Sequence, residues 1–182
     1  MTVPGQDGGA LRVGVAVTVP EPYAADLRAA RARVGDPAAH LIQPHITLLG
    51  PTVVPVPALA EVDAHLRGVA ARHAPFAVHL RGTASFRPVS PVVFVEVVEG
   101  IASCELLEVD IRGGVLDTEL RFHYHPHVTI AHDVPDEALD RAFEEMAGFE
   151  ARFHVTDIHA YEHGDDGVWR AIGAYPLGGA VA

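Results

Sequence analysis

Apolar positions along the chain follow two rhythms, every second residue in some segments and every third or fourth in others. These separate strands from helices. Leu11 to Val19, with valines at 13, 15, 17 and 19, predicts a strand. Pro20-Glu21-Pro22 then opens a helix through about Val34 that Gly35 closes. A strand around Gln43 to Leu49 is followed by Gly50-Pro51 and prolines at 55 and 57, which read as a loop. Ala58 to His73 carries Leu59, Val62, Leu66 and Val69 at helical spacing. Phe76 to Phe86 and Val92 to Val98 alternate as paired strands around Arg87 to Pro91, and a helix follows from about Ser103 to Ile111. A strand over Tyr124 to His132 leads to a helix from Pro135 through Met146, stopped by Gly148. Arg152 to Tyr161 and Val168 to Tyr175 close the chain as a hairpin around Gly164 to Gly167.

Within this order one short phrase occurs twice. Gln43-Pro-His-Ile-Thr-Leu-Leu-Gly50 returns as His125-Pro-His-Val-Thr-Ile-Ala-His132. Each copy opens a run of motif strand, helix and two strands, and the intervals 45 to 127 and 76 to 153 agree to within five residues. A duplicated unit is therefore expected, with repeat halves at roughly 40–100 and 122–176. Residues 1–10 are expected to form a flexible arm, and 11–182 one two-lobed domain. Helices interleaved with hairpins predict an α+β fold with mixed or antiparallel sheets.

On a strand, residues two apart share a face, so His45 stands beside Thr47 and His127 beside Thr129, while Ile46, Leu48, Val128 and Ile130 turn to the core. Two imidazoles can remove one proton and donate another near neutral pH. The two threonine hydroxyls can donate to the oxygens of an anion held between them. With water as nucleophile, that set suits in-line cleavage of a phosphodiester, and best of all the opening of a cyclic phosphate. His45 and His127 are the candidate catalytic residues, and Thr47 and Thr129 the candidate phosphate-binding residues. No cofactor and no metal is expected.

Composition narrows the choice. The chain has 182 residues, 49% of them hydrophobic, enough for a sizeable core. All 13 basic residues are arginine, and 24 acidic residues give a net charge of −11. The absence of lysine excludes a nucleotidyl-lysine ligase, a Schiff-base enzyme and a Gly-Lys-Ser/Thr phosphate loop. The negative charge argues against binding duplex nucleic acid, so the expected partner is a small cyclic nucleotide or a short RNA end. A single cysteine, Cys104, reads as a buried thiol. With no signal-peptide pattern and no run of membrane-spanning length, the expectation is a cytoplasmic monomer without a membrane partner.

The paired motifs His45-Ile-Thr47-Leu and His127-Val-Thr129-Ile resemble the signature of the two-histidine phosphoesterases, which include the 2′-5′ RNA ligase-like proteins and cyclic nucleotide phosphodiesterases. The resemblance runs from Leu11 to Pro176. It implies a bilobal fold with pseudo-twofold symmetry and a central cleft, one histidine as base and the other as acid, hydroxyls on the phosphate and no metal. It also implies a substrate class: 2′,3′-cyclic phosphates of nucleotides or RNA ends, ADP-ribose cyclic phosphate, or 2′-5′ linked RNA. Many ligase-like members carry arginine three residues beyond the second threonine, where this chain has His132. That departure shifts the expectation from RNA joining to hydrolysis.

Two other function classes remain open. His123, His125 and His127 alternate and, on one strand, would share a face as zinc ligands do. A cleft that binds nucleotides without turnover would use the same fold. Phe86, Tyr124, Tyr161 and Trp169 are candidates for stacking a base, and Arg87 or Arg121 for replacing the missing arginine, against the blander readings of core, rim or surface ion pair. His40, His65, His73, His79, His154, His159 and His163 lack the motif context and read as surface or hydrogen-bonded histidines.

Overall fold

The computed structural model describes residues 9–179. Most of the arm expected over residues 1–10 lies outside them, and Ala10 already belongs to the first strand. Eight strands and four α-helices follow in the order β1 (Ala10–Thr18), α1 (Tyr23–Arg33), β2 (His45–Pro55), α2 (Leu59–Arg72), β3 (Phe76–Ser85), β4 (Val92–Glu99), α3 (Ile101–Ile111), β5 (His127–His132), α4 (Asp136–Glu145), β6 (Glu150–Val155), β7 (Asp157–His163) and β8 (Trp169–Pro176). The strands form two four-stranded sheets, ordered β2-β1-β7-β8 and β5-β4-β3-β6. Every pairing within them is antiparallel. The fold is α+β and bilobal, and each sheet ends in one motif strand paired with the strand that precedes it in the chain.

The helices form where apolar residues recur at three and four. In α2 these are Val62, Leu66, Val69 and Ala70, and in α3 Cys104, Leu107 and Ile111, all buried. Cys104 is fully enclosed, as the composition suggested, and burial pushes its thiol up to about 12. The inward residues of both sheets join the helices in one continuous core that includes Ile46, Leu48, Leu66, Leu80, Val128, Ile130 and Ile158. Burying each such side chain contributes roughly 1.5–3 kcal/mol.

Three expected elements come out differently. Gly50-Pro51 does not end the first motif strand, because β2 runs on to Pro55. A register shift, Val13 opposite Thr52 but Val15 opposite Leu49, takes up the extra residue. A proline is tolerated there because β2 is an edge strand whose outer N–H groups need no partner. The second motif strand begins at His127 rather than Tyr124, where Pro126 offers no N–H to a ladder. The long strand expected over 152–161 breaks at Thr156, and the chain changes sheet there: β6 pairs with β3, and β7 with β1. The strands that carry Phe76 and Phe153 are therefore not twofold mates, and β6 opens at Glu150 rather than at Phe153. They are neighbours in one sheet, with Val78 opposite Phe153.

Candidate active site

The two motif strands, each at the end of its sheet, approach one another across the lobes. Both show the same alternation. His45, Thr47, His127 and Thr129 are half-exposed, while Ile46, Leu48, Val128 and Ile130 are buried. The Tyr124 hydroxyl donates to the Thr47 carbonyl at 2.9 Å and so ties the approach to the second motif to the first motif strand.

The imidazoles are held alike. His45 Nδ1 lies 2.8 Å from the Gln43 carbonyl and His127 Nδ1 lies 2.7 Å from the His125 carbonyl. A carbonyl can only accept, so Nδ1 carries a proton in both rings and Nε2 is left to exchange one. The shared prolines explain the repetition. Pro44 and Pro126 hold the preceding residue in an extended conformation, and the carbonyl of that residue is the one that meets the ring. The threonine hydroxyls engage no partner among the described residues and remain available to a ligand.

The surroundings of the two rings differ. His45 stacks on Trp169 with centroids 5.5 Å apart and planes 29° apart. Burial pushes it down to about 4, against the pull of the Gln43 carbonyl, and the Arg31 guanidinium and His127 act in the same direction as burial. His127 meets Phe86 at 5.0 Å in an edge arrangement and Phe94 at 5.0 Å, and stacks on His125 at 6.3 Å. Burial also lowers its pKa. Burial thus favours the neutral form of both imidazoles.

A cleft of about 800 Å³ opens over this surface, lined by Thr47, His127, Thr129, Phe86 and the segment Thr118 to His125. It lies chiefly on the side of the second motif, and His45 is not among the residues that line it. Sequence reasoning singled out Arg121 and His123 but not the rest of the 118–123 segment, which has no periodic pattern and becomes a wall only by its position. Nor did it mark Arg31 and Asp36. Arg31 Nε donates to Asp36 at 2.7 Å, and the same carboxylate accepts the backbone N–H of His132 at 3.0 Å and of Ala38 at 2.8 Å. Asp36, only 4% exposed, thereby ties the turn after α1 to the end of the second motif strand.

The weaker candidates separate as well. Residues 123–126 lie outside the strand, so His123, His125 and His127 do not share a strand face, and no group of three His, Cys, Asp or Glu side chains among the described residues is arranged to hold a metal. Arg87 is taken by Asp140 at 2.7 Å, whereas Arg121 lines the cleft with its guanidinium over Phe122. Phe86 packs on Phe94 at 4.3 Å and still lines the cleft, whereas Tyr161 is buried with its hydroxyl within 2.8 Å of the Thr18 hydroxyl. Of the histidines outside the motifs, His65 reaches the Ile111 carbonyl, His73 reaches Asp110, and the buried His79 reaches Glu150. Among the described residues, no helix is long and apolar enough to cross a membrane.

Known proteins share both the sequence and the architecture. A Bacillus cytotoxicus protein named "Putative phosphoesterase" is 34% identical over 101 residues, which are 56% of this chain and 58% of that one. A Bacillus cereus protein of the same name is 27% identical over 147 residues, 79% of this chain and 84% of its own. LigT of Escherichia coli, in a crystal structure with NADP+, superposes with a TM-score of 0.68 at 19% identity over 93% of this chain and 99% of its own, a likeness of fold. The profile of the 2′-5′ RNA ligase superfamily matches residues 19–167, more than half of the sequence and both motifs, and the chain belongs to that superfamily.

Proposed function

We propose that this chain is a phosphoesterase that opens a cyclic phosphodiester on a small nucleotide or a short RNA end, with His45 and His127 as its acid–base pair and Thr47 and Thr129 as its phosphate-binding hydroxyls. The observation that carries the proposal is the matched presentation of the two rings. Both have Nδ1–H fixed on the carbonyl two residues back and Nε2 available, on half-exposed positions of facing strands. The Bacillus relatives are named as phosphoesterases, and LigT has been crystallised in complex with 3′-AMP as well as NADP+. A cleft of about 800 Å³ has room for a nucleotide rather than for phosphate alone.

In this scheme one neutral imidazole takes a proton from water as the water oxygen bonds to phosphorus. The partner, protonated once the anionic substrate is bound, gives its proton to the leaving ribose oxygen as the P–O bond breaks. The product is a phosphomonoester. The threonine hydroxyls donate to the non-bridging oxygens, where charge builds up in the transition state. Hydrolysis is favoured over joining RNA ends because His132 stands where ligase-like members carry arginine, and its side chain brings no fixed charge.

Phosphorus NMR of purified protein with 2′,3′-cyclic nucleotides, ADP-ribose cyclic phosphate and RNA ends bearing cyclic phosphate tests the proposal, with EDTA present throughout. The expected result is conversion of at least one of these to a phosphomonoester, lost in His127→Ala. No conversion of any of them by folded protein, or full turnover by His127→Ala, refutes it. Activity abolished by EDTA and restored by zinc would move the chemistry to a metal.

A further inference from the structure

The two motif rings share a backbone clamp but not a wall, and the wall behind His45 is built from parts that the acid–base scheme does not use. Trp169 opens β8 and stacks on His45. Its backbone N–H donates to the Leu41 carbonyl at 3.0 Å, four residues before His45, which fixes the indole to the approach of the motif strand. The ring lies over Gly14 of β1. A β-carbon there would stand 2.6 Å from Trp169 Cζ3 and 2.7 Å from Cη2, closer than real atoms approach, so only glycine leaves space for the indole. Tyr161 and His163 of β7 close the seat, with ring centroids 5.9 and 5.6 Å from the indole.

We propose that Trp169, seated on Gly14, is a positioning residue for His45: it fixes the plane of the imidazole and keeps water from one of its faces. The inference rests on the reading that His45 takes part in turnover, and it adds a residue outside both motifs to the working site. Its physical basis is that a clamp at Nδ1 alone leaves the ring free to swing about that hydrogen bond. A stacked indole at 29° removes this freedom, and a reacting group misplaced by about 1 Å can cost 10²-fold in rate. The charged and titratable groups that face His45 are Arg31 from α1 and His127 from β5, with Tyr161 and His163 from β7 behind the indole. The low pKa of His45, set first by burial, agrees with a covered ring.

The test combines NMR titration of the His45 ring in ligand-free protein, assigned by the signal lost in His45→Ala, with kcat and KM for Trp169→Ala, Trp169→Phe and Gly14→Ala. In Trp169→Ala the His45 midpoint rises toward the ordinary histidine value, and kcat falls on the order of 10- to 10²-fold while KM stays within about twofold. Trp169→Phe recovers most of the loss, since a flat ring still covers the imidazole. Gly14→Ala reproduces the defect from the far side of the indole, and with Trp169→Phe it decides the matter should the alanine variant not fold. An unmoved His45 titration in both Trp169→Ala and Gly14→Ala overturns the proposal. So does a rise in KM with kcat unchanged, which would make Trp169 a platform for the nucleobase. The titration needs no substrate, so the two readings fail separately. A shifted midpoint in a protein that opens no phosphodiester leaves the positioning role standing and removes the proposed activity. An unshifted midpoint in a protein that His45→Ala inactivates does the reverse.

Discussion

The state of the two rings makes the pH profile the most informative solution measurement. Burial holds His45 at about 4 and lowers His127, so in the free enzyme both macroscopic pKa values lie below the ordinary histidine value of 6.5. The productive microstate, one ring neutral and one protonated, is then most populated on the acid side of 6.5. Because kcat/KM reports the free enzyme, it should trace a bell with its maximum below pH 6.5 and an acid limb near the His45 value. A bound phosphate anion reverses the balance. At about 4 Å and an effective dielectric constant of about 20 it favours an imidazolium by about 4 kcal/mol, which moves a pKa up by as much as about 3 pH units. The kcat profile, which reports the complex, should therefore move bodily to higher pH, with its plateau reaching neutrality. Initial rates of cyclic phosphate opening between pH 4 and 9, in a buffer series of constant ionic strength, separate the two curves. Superimposable kcat and kcat/KM profiles, or a kcat/KM still rising above pH 8, would show that the two rings do not share one proton in the way the geometry suggests.

Three further outcomes are expected. His45→Ala and His127→Ala should each lower kcat/KM on the order of 10²- to 10⁴-fold, and the double variant by far less than the product, since groups acting as a unit are not additive; a double variant at the full product would show independent roles. Thr47→Val and Thr129→Val should cost less than either histidine, roughly 10-fold, because each removes one hydrogen bond to the phosphate and leaves proton transfer intact; a loss equal to that of His127→Ala would give the hydroxyls a larger role. Asp36→Ala should lower the urea-denaturation stability by about 3–5 kcal/mol, because it leaves the buried Arg31 guanidinium and two backbone N–H groups without their acceptor; a change under about 1 kcal/mol would mean that this tie is energetically idle.

Local pattern determined a good deal here. The motif strands were readable because alternation is a property of adjacent residues, and Ile46, Leu48, Val128 and Ile130 do turn inward while the polar residues between them stay half-exposed. The helices were legible for the same reason, since Val62, Leu66 and Val69 mark one side of α2 without reference to the rest of the chain. The prolines before each histidine even carried a trace of the ring clamp, because they constrain the residue whose carbonyl holds Nδ1.

What lay beyond the sequence is what depends on partners distant in the chain. Nothing in 150–163 announces that the chain leaves one sheet for the other at Thr156, because β6 and β7 alternate alike and only β3 and β1 decide where each pairs. The bulge that carries β2 through Gly50-Pro51 exists because β1 supplies the opposing register and the outer edge is free. Asp36 looked ordinary in sequence, and Trp169 stood out only as a candidate for stacking a base. The first is reached by a backbone N–H 96 residues away, and the second meets a histidine on another strand across a glycine on a third. Sequence supplied the candidate reacting groups and the faces they occupy, since both follow from spacing along one strand. Only the tertiary structure decided which aromatic ring backs which imidazole, and with it how differently two identical phrases are tuned, because desolvation and stacking belong to the packed neighbourhood and not to the strand.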